Sequence, residues 1–129
     1  MVAFTSMLSS DTIVGARAVV RYDHVVTNLG GAYQRTTGIF TAPYRGLYSF
    51  SCSLMSHPSN TVHLEMVKNG KRVSTVFSAA HTYPQSSQTI YLVLNQGDHI
   101  WMRNHYTGQV KLHEYLGYNV FSGIFIREM

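Results

Sequence analysis

The sequence predicts an all-β fold of the sandwich or jelly-roll kind, on three observations. Over residues 48–54 apolar and polar side chains alternate, with Tyr48, Phe50, Cys52 and Leu54 on one face and Leu47, Ser49, Ser51 and Ser53 on the other. Asn69-Gly70 stands between two further runs, and both residues tolerate the positive φ of a two-residue hairpin turn. No long stretch carries a helical period, while turn residues recur at roughly 8–12-residue spacing, as in antiparallel sandwiches.

The elements follow in order. Gly46 comes after Pro43 in a turn and opens the first clear strand. Residues 62–67 alternate, placing Val62, Leu64 and Met66 together; Asn69-Gly70 reverses the chain and residues 72–79 return as the partner strand. Residues 87–94 set Ile90, Leu92 and Leu94 against Tyr91 and Val93. Asn95-Gln96-Gly97-Asp98 is a turn, residues 99–106 are the next strand, and residues 121–127 are the last. Pro43, Pro58 and Pro84 fall between strands, where a missing amide does no harm. A two-sheet sandwich covers one face of each sheet. The apolar residues on both faces around Tyr91 and Trp101 therefore predict a subunit interface.

At 129 residues the chain suits one domain, residues 1–129. It is 45% hydrophobic and 12% charged, which favours a packed core over disorder. No run of about 18 apolar residues is available to span a bilayer, so membrane insertion is not expected. Met1-Val2-Ala3-Phe4-Thr5-Ser6 lacks the basic start and apolar stretch of a secretory leader, and a secreted protein in mature form would read the same way. The formal charge is +4 and its carriers are scattered. Lys68, Lys71 and Arg72 flank Asn69-Gly70 and read as a solvated hairpin tip, not a nucleic-acid patch; a mild attraction to anionic glycans remains open. Cys52, the only cysteine, leaves no intrachain disulfide and reads as a buried, inert thiol.

Three blocks carry a family resemblance. In the first, Tyr22, Asn28, Tyr33, Phe40, Gly46, Tyr48 and Phe50 fall at specific intervals that close on Cys52. The second is Leu92-Val93-Leu94-Asn95-Gln96-Gly97-Asp98-His99-Ile100-Trp101: a strand, a Gly-Asp turn and a strand entering with an apolar-Trp pair. The third is Tyr118-Asn119-Val120-Phe121-Ser122-Gly123-Ile124-Phe125-Ile126. Together they resemble the globular head of the complement C1q family, with Tyr22 where the family prefers Phe and Cys52 where it prefers an aromatic. The resemblance implies a ten-stranded jelly roll shared with the tumour necrosis factor superfamily, a compact homotrimer, and a binding module without enzymatic activity. The family's collagen stalk has no Gly-X-Y counterpart here, so the chain looks like a head-only or trimmed form. Stand-alone invertebrate members, which it resembles, often act as secreted lectin-like receptors. Some members hold calcium near the trimer apex through acidic loop residues. Here that region reads His113-Glu114-Tyr115-Leu116-Gly117-Tyr118-Asn119, and Gln34 stands where many members have Asp. The acidic residues present do not support calcium, and no other cofactor is expected.

Seven histidines (His24, His57, His63, His81, His99, His105 and His113) form no close metal-binding pair and read as exposed or locally hydrogen-bonded, with zinc on His and Glu ligands left open. No Gly-x-Ser-x-Gly elbow occurs, and no catalytic residue or metal site is predicted. Ligand contact is assigned instead to polar, aromatic loops, where a ring stacks on a pyranose while amides and charges bond hydroxyls or a carboxylate. Residues 107–119, which carry few strand signals, lead through Lys111, His113, Glu114 and Tyr115. Tyr83 and Gln85 form a second group, and Arg103, His105 and Tyr106 a third. Arg103 suits a bidentate bond to a sialic-acid carboxylate and equally an intersubunit salt bridge. An ordinary surface loop is the alternative reading for each group. The expected function is a soluble, secreted, homotrimeric pattern-recognition lectin that binds microbial or sialylated glycans multivalently in innate immunity. The rival is a trimeric signalling ligand of the tumour necrosis factor type that binds a protein receptor.

Overall fold

The computed structural model describes residues 1–129 and contains twelve strands and no helix. One antiparallel sheet has the order β3 (His24–Leu29), β1 (Ala3–Met7), β12 (Val120–Glu128), β6 (Gly46–Met55), β9 (Gln85–Leu94). The other has β4 (Tyr33–Gln34), β5 (Ile39–Thr41), β10 (His99–Asn104), β7 (Val62–Lys68), β8 (Lys71–Ser78). These two five-stranded sheets make the expected jelly-roll sandwich. A ribbon of β2 (Thr12–Val14) and β11 (Val110–Leu112) is added to it. Strand β11 lies in the segment that carries few strand signals, because three residues are too short a strand to display an alternation.

Local chemistry explains the elements. The β7–β8 hairpin turns at Asn69 (φ 50°) and Gly70 (φ 90°), as the dipeptide predicts. Strand β10 stops short of residue 106 because the Asn104 side chain takes over the turn. Its Nδ2 donates to the Gly15 and Gly108 carbonyls at 3.0 Å each, and its Oδ1 accepts the Tyr106 amide at 3.0 Å. The alternation of β6 is realised in full: Tyr48, Phe50, Cys52 and Leu54 point into the core. Burial pushes the Cys52 thiol up to about 11.

The core is a cluster of 23 residues between the sheets. Phe4 stacks on Tyr33 at 4.8 Å and meets Phe121 edge-on at 4.9 Å, while Phe40 meets Phe50 edge-on at 5.2 Å. Burying a ring of this kind stabilises by about 1.5–3 kcal/mol. The Ser-Gly step of β12 has its reason here: a Cβ on Gly123 would lie 2.7 Å from the rings of both Phe4 and Phe50. The Tyr22 ring is fully buried, and its hydroxyl has no hydrogen-bond partner.

Part of the outer face of the first sheet is apolar where a lone sandwich would be polar. Strand register aligns Leu29, Ala3, Ile124, Ser49 and Tyr91 in one row across the sheet. Tyr91 is 68% exposed, and Val93, Ile124, Ile126 and Leu29 are also exposed. The neighbouring row, Thr27, Thr5, Ser122, Ser51 and Thr89, carries hydroxyls throughout.

Candidate functional site

The nine residues assigned to ligand contact fall into two separate groups. The first is organised by β11. That strand pairs with β2 on one side, and on the other the His57 amide donates to the Lys111 carbonyl at 3.0 Å and the His113 amide to the Met55 carbonyl at 3.0 Å. Asn60 reinforces the junction, accepting the Lys111 amide at 2.7 Å. Alternation along β11 buries Val110 and Leu112 and turns Lys111 and His113 toward the surface.

His113 is the hub of an aromatic cluster. Its ring stacks on Tyr118 at 5.9 Å, meets Tyr83 edge-on at 5.2 Å and lies 6.1 Å from His57. Its Nδ1 sits 3.2 Å from an oxygen of Asp11. The Glu114 amide bond to Asp11, with the nearby His113 and Lys111 charges, holds that carboxyl below the usual range. Gln85 donates to the Tyr118 carbonyl at 2.9 Å, and Tyr83 is 60% exposed. The cluster is an open surface; none of the molecule's clefts is lined by Tyr83, Lys111 or His113.

Glu114 does different work from the sequence expectation. One of its oxygens accepts the amides of Tyr115, Gly117 and Tyr118 at 2.9, 2.7 and 2.9 Å, and the other accepts that of Asn119 at 2.9 Å. Its lone pairs are occupied by amides of the loop it belongs to, so it shapes that loop. The loop tip presents Tyr115 and Leu116, 75% and 73% exposed, and lines a cleft with Met7, Leu8 and His24.

The second group gathers around Glu65 on the outer face of the second sheet. Arg103 donates to one Glu65 oxygen through Nε at 3.2 Å and Nη2 at 2.6 Å. His105 Nδ1 bonds the other oxygen, which Arg17 approaches to 3.5 Å. Burial alone would raise the Glu65 carboxyl; the Arg103 and His105 hydrogen bonds and the two guanidinium charges outweigh it and hold it at about 2. Arg103 is thus engaged within its own chain, with Nε and Nη2 both on Glu65. Tyr106, three residues further on, is 59% exposed.

Sequence reasoning had no local signal for several of these partners. Asp11 and His57 reach His113 from distant segments, and Glu65 reaches Arg103 only because Glu65 and Arg103 are paired in the β7–β10 register. No three His, Cys, Asp or Glu side chains converge in a metal-binding arrangement.

Comparison with known proteins adds identity to the geometry. A family model described as the C1q domain matches residues 3–126. A complement C1q subcomponent of Mus musculus is 39% identical over 115 residues, which cover 86% of this chain and 44% of that protein. Complement C1q tumor necrosis factor-related protein 3 of Homo sapiens is 31% identical over 111 residues, covering 83% and 44%. The chain therefore spans less than half the length of these relatives. Among solved structures, the globular domain of zebrafish complement 1qA protein superposes with a TM-score of 0.79 at 18% identity, covering 100% of both chains. Eiger TNF from S. frugiperda gives 0.78 at 13% identity, covering 99% of this chain and 94% of that one.

Proposed function

Because the chain belongs to the C1q domain family, whose members are recognition or signalling proteins and not enzymes, we propose that residues 1–129 are the head of a secreted, homotrimeric pattern-recognition lectin. The observation that carries this reading is the ring cluster in which exposed Tyr83 meets half-buried His113 and Tyr118, with Lys111 and Gln85 at its rim. Ring faces stack on the apolar face of a pyranose, and the amide and ammonium groups bond its hydroxyls or a carboxylate. An open surface buries little of a sugar, so one site binds weakly. Trimers are the family's usual assembly, and the apolar row from Leu29 to Tyr91 is the face that supports one here. Three rigidly linked sites raise avidity for repeated glycans.

A glycan array probed with the assembled protein tests this. Microbial or sialylated glycans should bind, and Tyr83→Ala or Lys111→Ala should weaken binding while light scattering still reports a trimer. A blank array, or unchanged binding by both variants, refutes the site. The signalling-ligand reading draws on one observation of its own, the Tyr115–Leu116 tip held out by Glu114. A blank array combined with receptor-ectodomain binding that disappears in Leu116→Ala would favour it.

A further inference from the structure

His63 and His105 stand side by side on the outer face of the second sheet. The β7–β10 pairing ends with Asn104 opposite Leu64, and one step on the His105 amide donates to the His63 carbonyl at 3.0 Å. Leu64 and Asn104 are buried, so alternation turns both histidines outward on the opposite face. Their ring centres lie 6.1 Å apart at 64°. The Phe77 ring, across from His63 on β8, lies 4.8 Å from the His63 ring and limits its swing. His63 is exposed, and no group of the chain bonds its ring nitrogens.

Glu65 fixes the proton of His105. Its carboxyl is held at about 2 and is ionised, and an ionised carboxylate only accepts hydrogen bonds. His105 Nδ1 is therefore the donor in their bond, and in the neutral ring Nε2 carries the free lone pair. A carboxylate bonded to one ring nitrogen orients a metal-binding histidine and raises the basicity of the other. The His105 side chain is 51% exposed, which leaves part of the ring open to solvent. The other histidine pair at this separation, His57 and His113, is set the opposite way. His57 Nδ1 accepts the Ser59 amide at 3.2 Å, which leaves the proton of the neutral ring on Nε2.

We propose that His63 and His105 form a binding site for a divalent transition metal ion, Cu²⁺, Ni²⁺ or Zn²⁺. Glu65 is the positioning residue behind His105, and solvent completes the coordination. A metal about 2.0–2.1 Å from each ring nitrogen holds two imidazole centres roughly 5–6 Å apart, a separation the exposed His63 reaches by a small rotation. Charge selects the class of metal. Arg17 and Arg103 both lean on Glu65, so the patch carries more positive than negative charge. Ca²⁺ and Mg²⁺ bind through charge to oxygen donors and are disfavoured there. Imidazole nitrogen suits Cu²⁺, Ni²⁺ and Zn²⁺, with Cu²⁺ the strongest of the series. A bound ion clips the end of β10 to β7. The site shares no residue with the Tyr83–His113 cluster and does not depend on what that cluster binds.

Titration calorimetry of the assembled protein with the chlorides of copper(II), nickel, zinc and calcium tests this. Cu²⁺ should bind most tightly, and Ca²⁺ should not bind. His63→Gln and His105→Gln should each weaken transition-metal binding about tenfold or more, at least what loss of an outer-shell partner costs a metal site. Without metal, both variants should melt within a few degrees of wild type. Electron paramagnetic resonance of the Cu²⁺ protein should report two imidazole nitrogens in wild type and one in each variant. His57→Gln, which alters the other close pair, should bind as wild type. The proposal is overturned if the His63 and His105 variants bind as wild type, if His57→Gln loses as much as they do, or if Ca²⁺ displaces Cu²⁺. It also falls if wild type binds none of the three transition metals. Should His105→Gln disturb the Glu65 network and unfold, the exposed His63→Gln decides alone. Glycan-array binding that depends on Tyr83 stands or falls separately.

Discussion

Replacing Tyr22 by Phe should make this protein more stable. The ring is fully buried, 5.6 Å from that of Phe121, and its hydroxyl lacks a hydrogen-bond partner. Burial drives the phenol well above its usual value of 10.0, as expected for a group surrounded by apolar neighbours. An unpaired buried hydroxyl costs about 1–3 kcal/mol of desolvation. Removing the oxygen leaves a void smaller than a methyl group, which returns part of that gain. The net stabilisation should be about 1 kcal/mol, or roughly 3–5 °C in melting temperature for a chain of this size. Tyr33→Phe is the matched control with the opposite sign. Its hydroxyl donates to the Tyr22 carbonyl at 2.7 Å, so its loss should destabilise by about 1 kcal/mol. Calorimetry of the three proteins at equal protomer concentration decides the matter, because assembly makes melting concentration-dependent. A lower melting temperature for Tyr22→Phe than for wild type would refute the reasoning.

Three further outcomes are expected. Glu65 has a folded pKa of about 2 against an ordinary 4.5; a depressed carboxylate contributes stability above its unfolded pKa and loses it as pH falls through the folded one. About 3 kcal/mol should therefore disappear between roughly pH 5 and pH 2, measured by denaturant titration, and a flat profile over that window in wild type would contradict the network. In Glu114→Ala the amides of Tyr115, Gly117, Tyr118 and Asn119 lose their acceptor; hydrogen exchange across this loop should accelerate while β6 and β12 stay protected, and unchanged exchange would show that other contacts hold the loop. Cys52 is buried with its thiol raised to about 11, so a thiol reagent should label the native protein far more slowly than the denatured one, with equal rates arguing against a structural thiol.

The strands that could be read from the sequence are those long enough to show their own alternation. In β6, β7 and β9 each residue's face is set by its immediate neighbour, a relation the chain carries locally. The Asn69-Gly70 turn is equally local, because its positive φ values are a property of the two residues themselves. The apolar outer face at Tyr91 and Val93 was visible for the same reason. Strands β1 to β5 and β11 were not: β2, β4, β5 and β11 hold two or three residues, too few for a pattern, and β1 and β3 find their place only through pairing with each other and with β12. The jelly-roll order and the family entered through three spaced motifs whose packing reasons appear only in the fold, as Gly123 shows against Phe4 and Phe50. The site divides along the same line. Tyr83, Lys111 and His113 were identifiable as loop residues of suitable chemistry. That His113 would stack with Tyr118, face Asp11 and meet His57 depended on pairing β11 with β2 and with residues 55–57. Glu114 and Arg103 read as free ligand groups until the fold brought four amides to one and the Glu65 carboxylate to the other. A side chain's character is written in the chain, but its partner is chosen by strand register, and register is settled only when two sheets close over a common core.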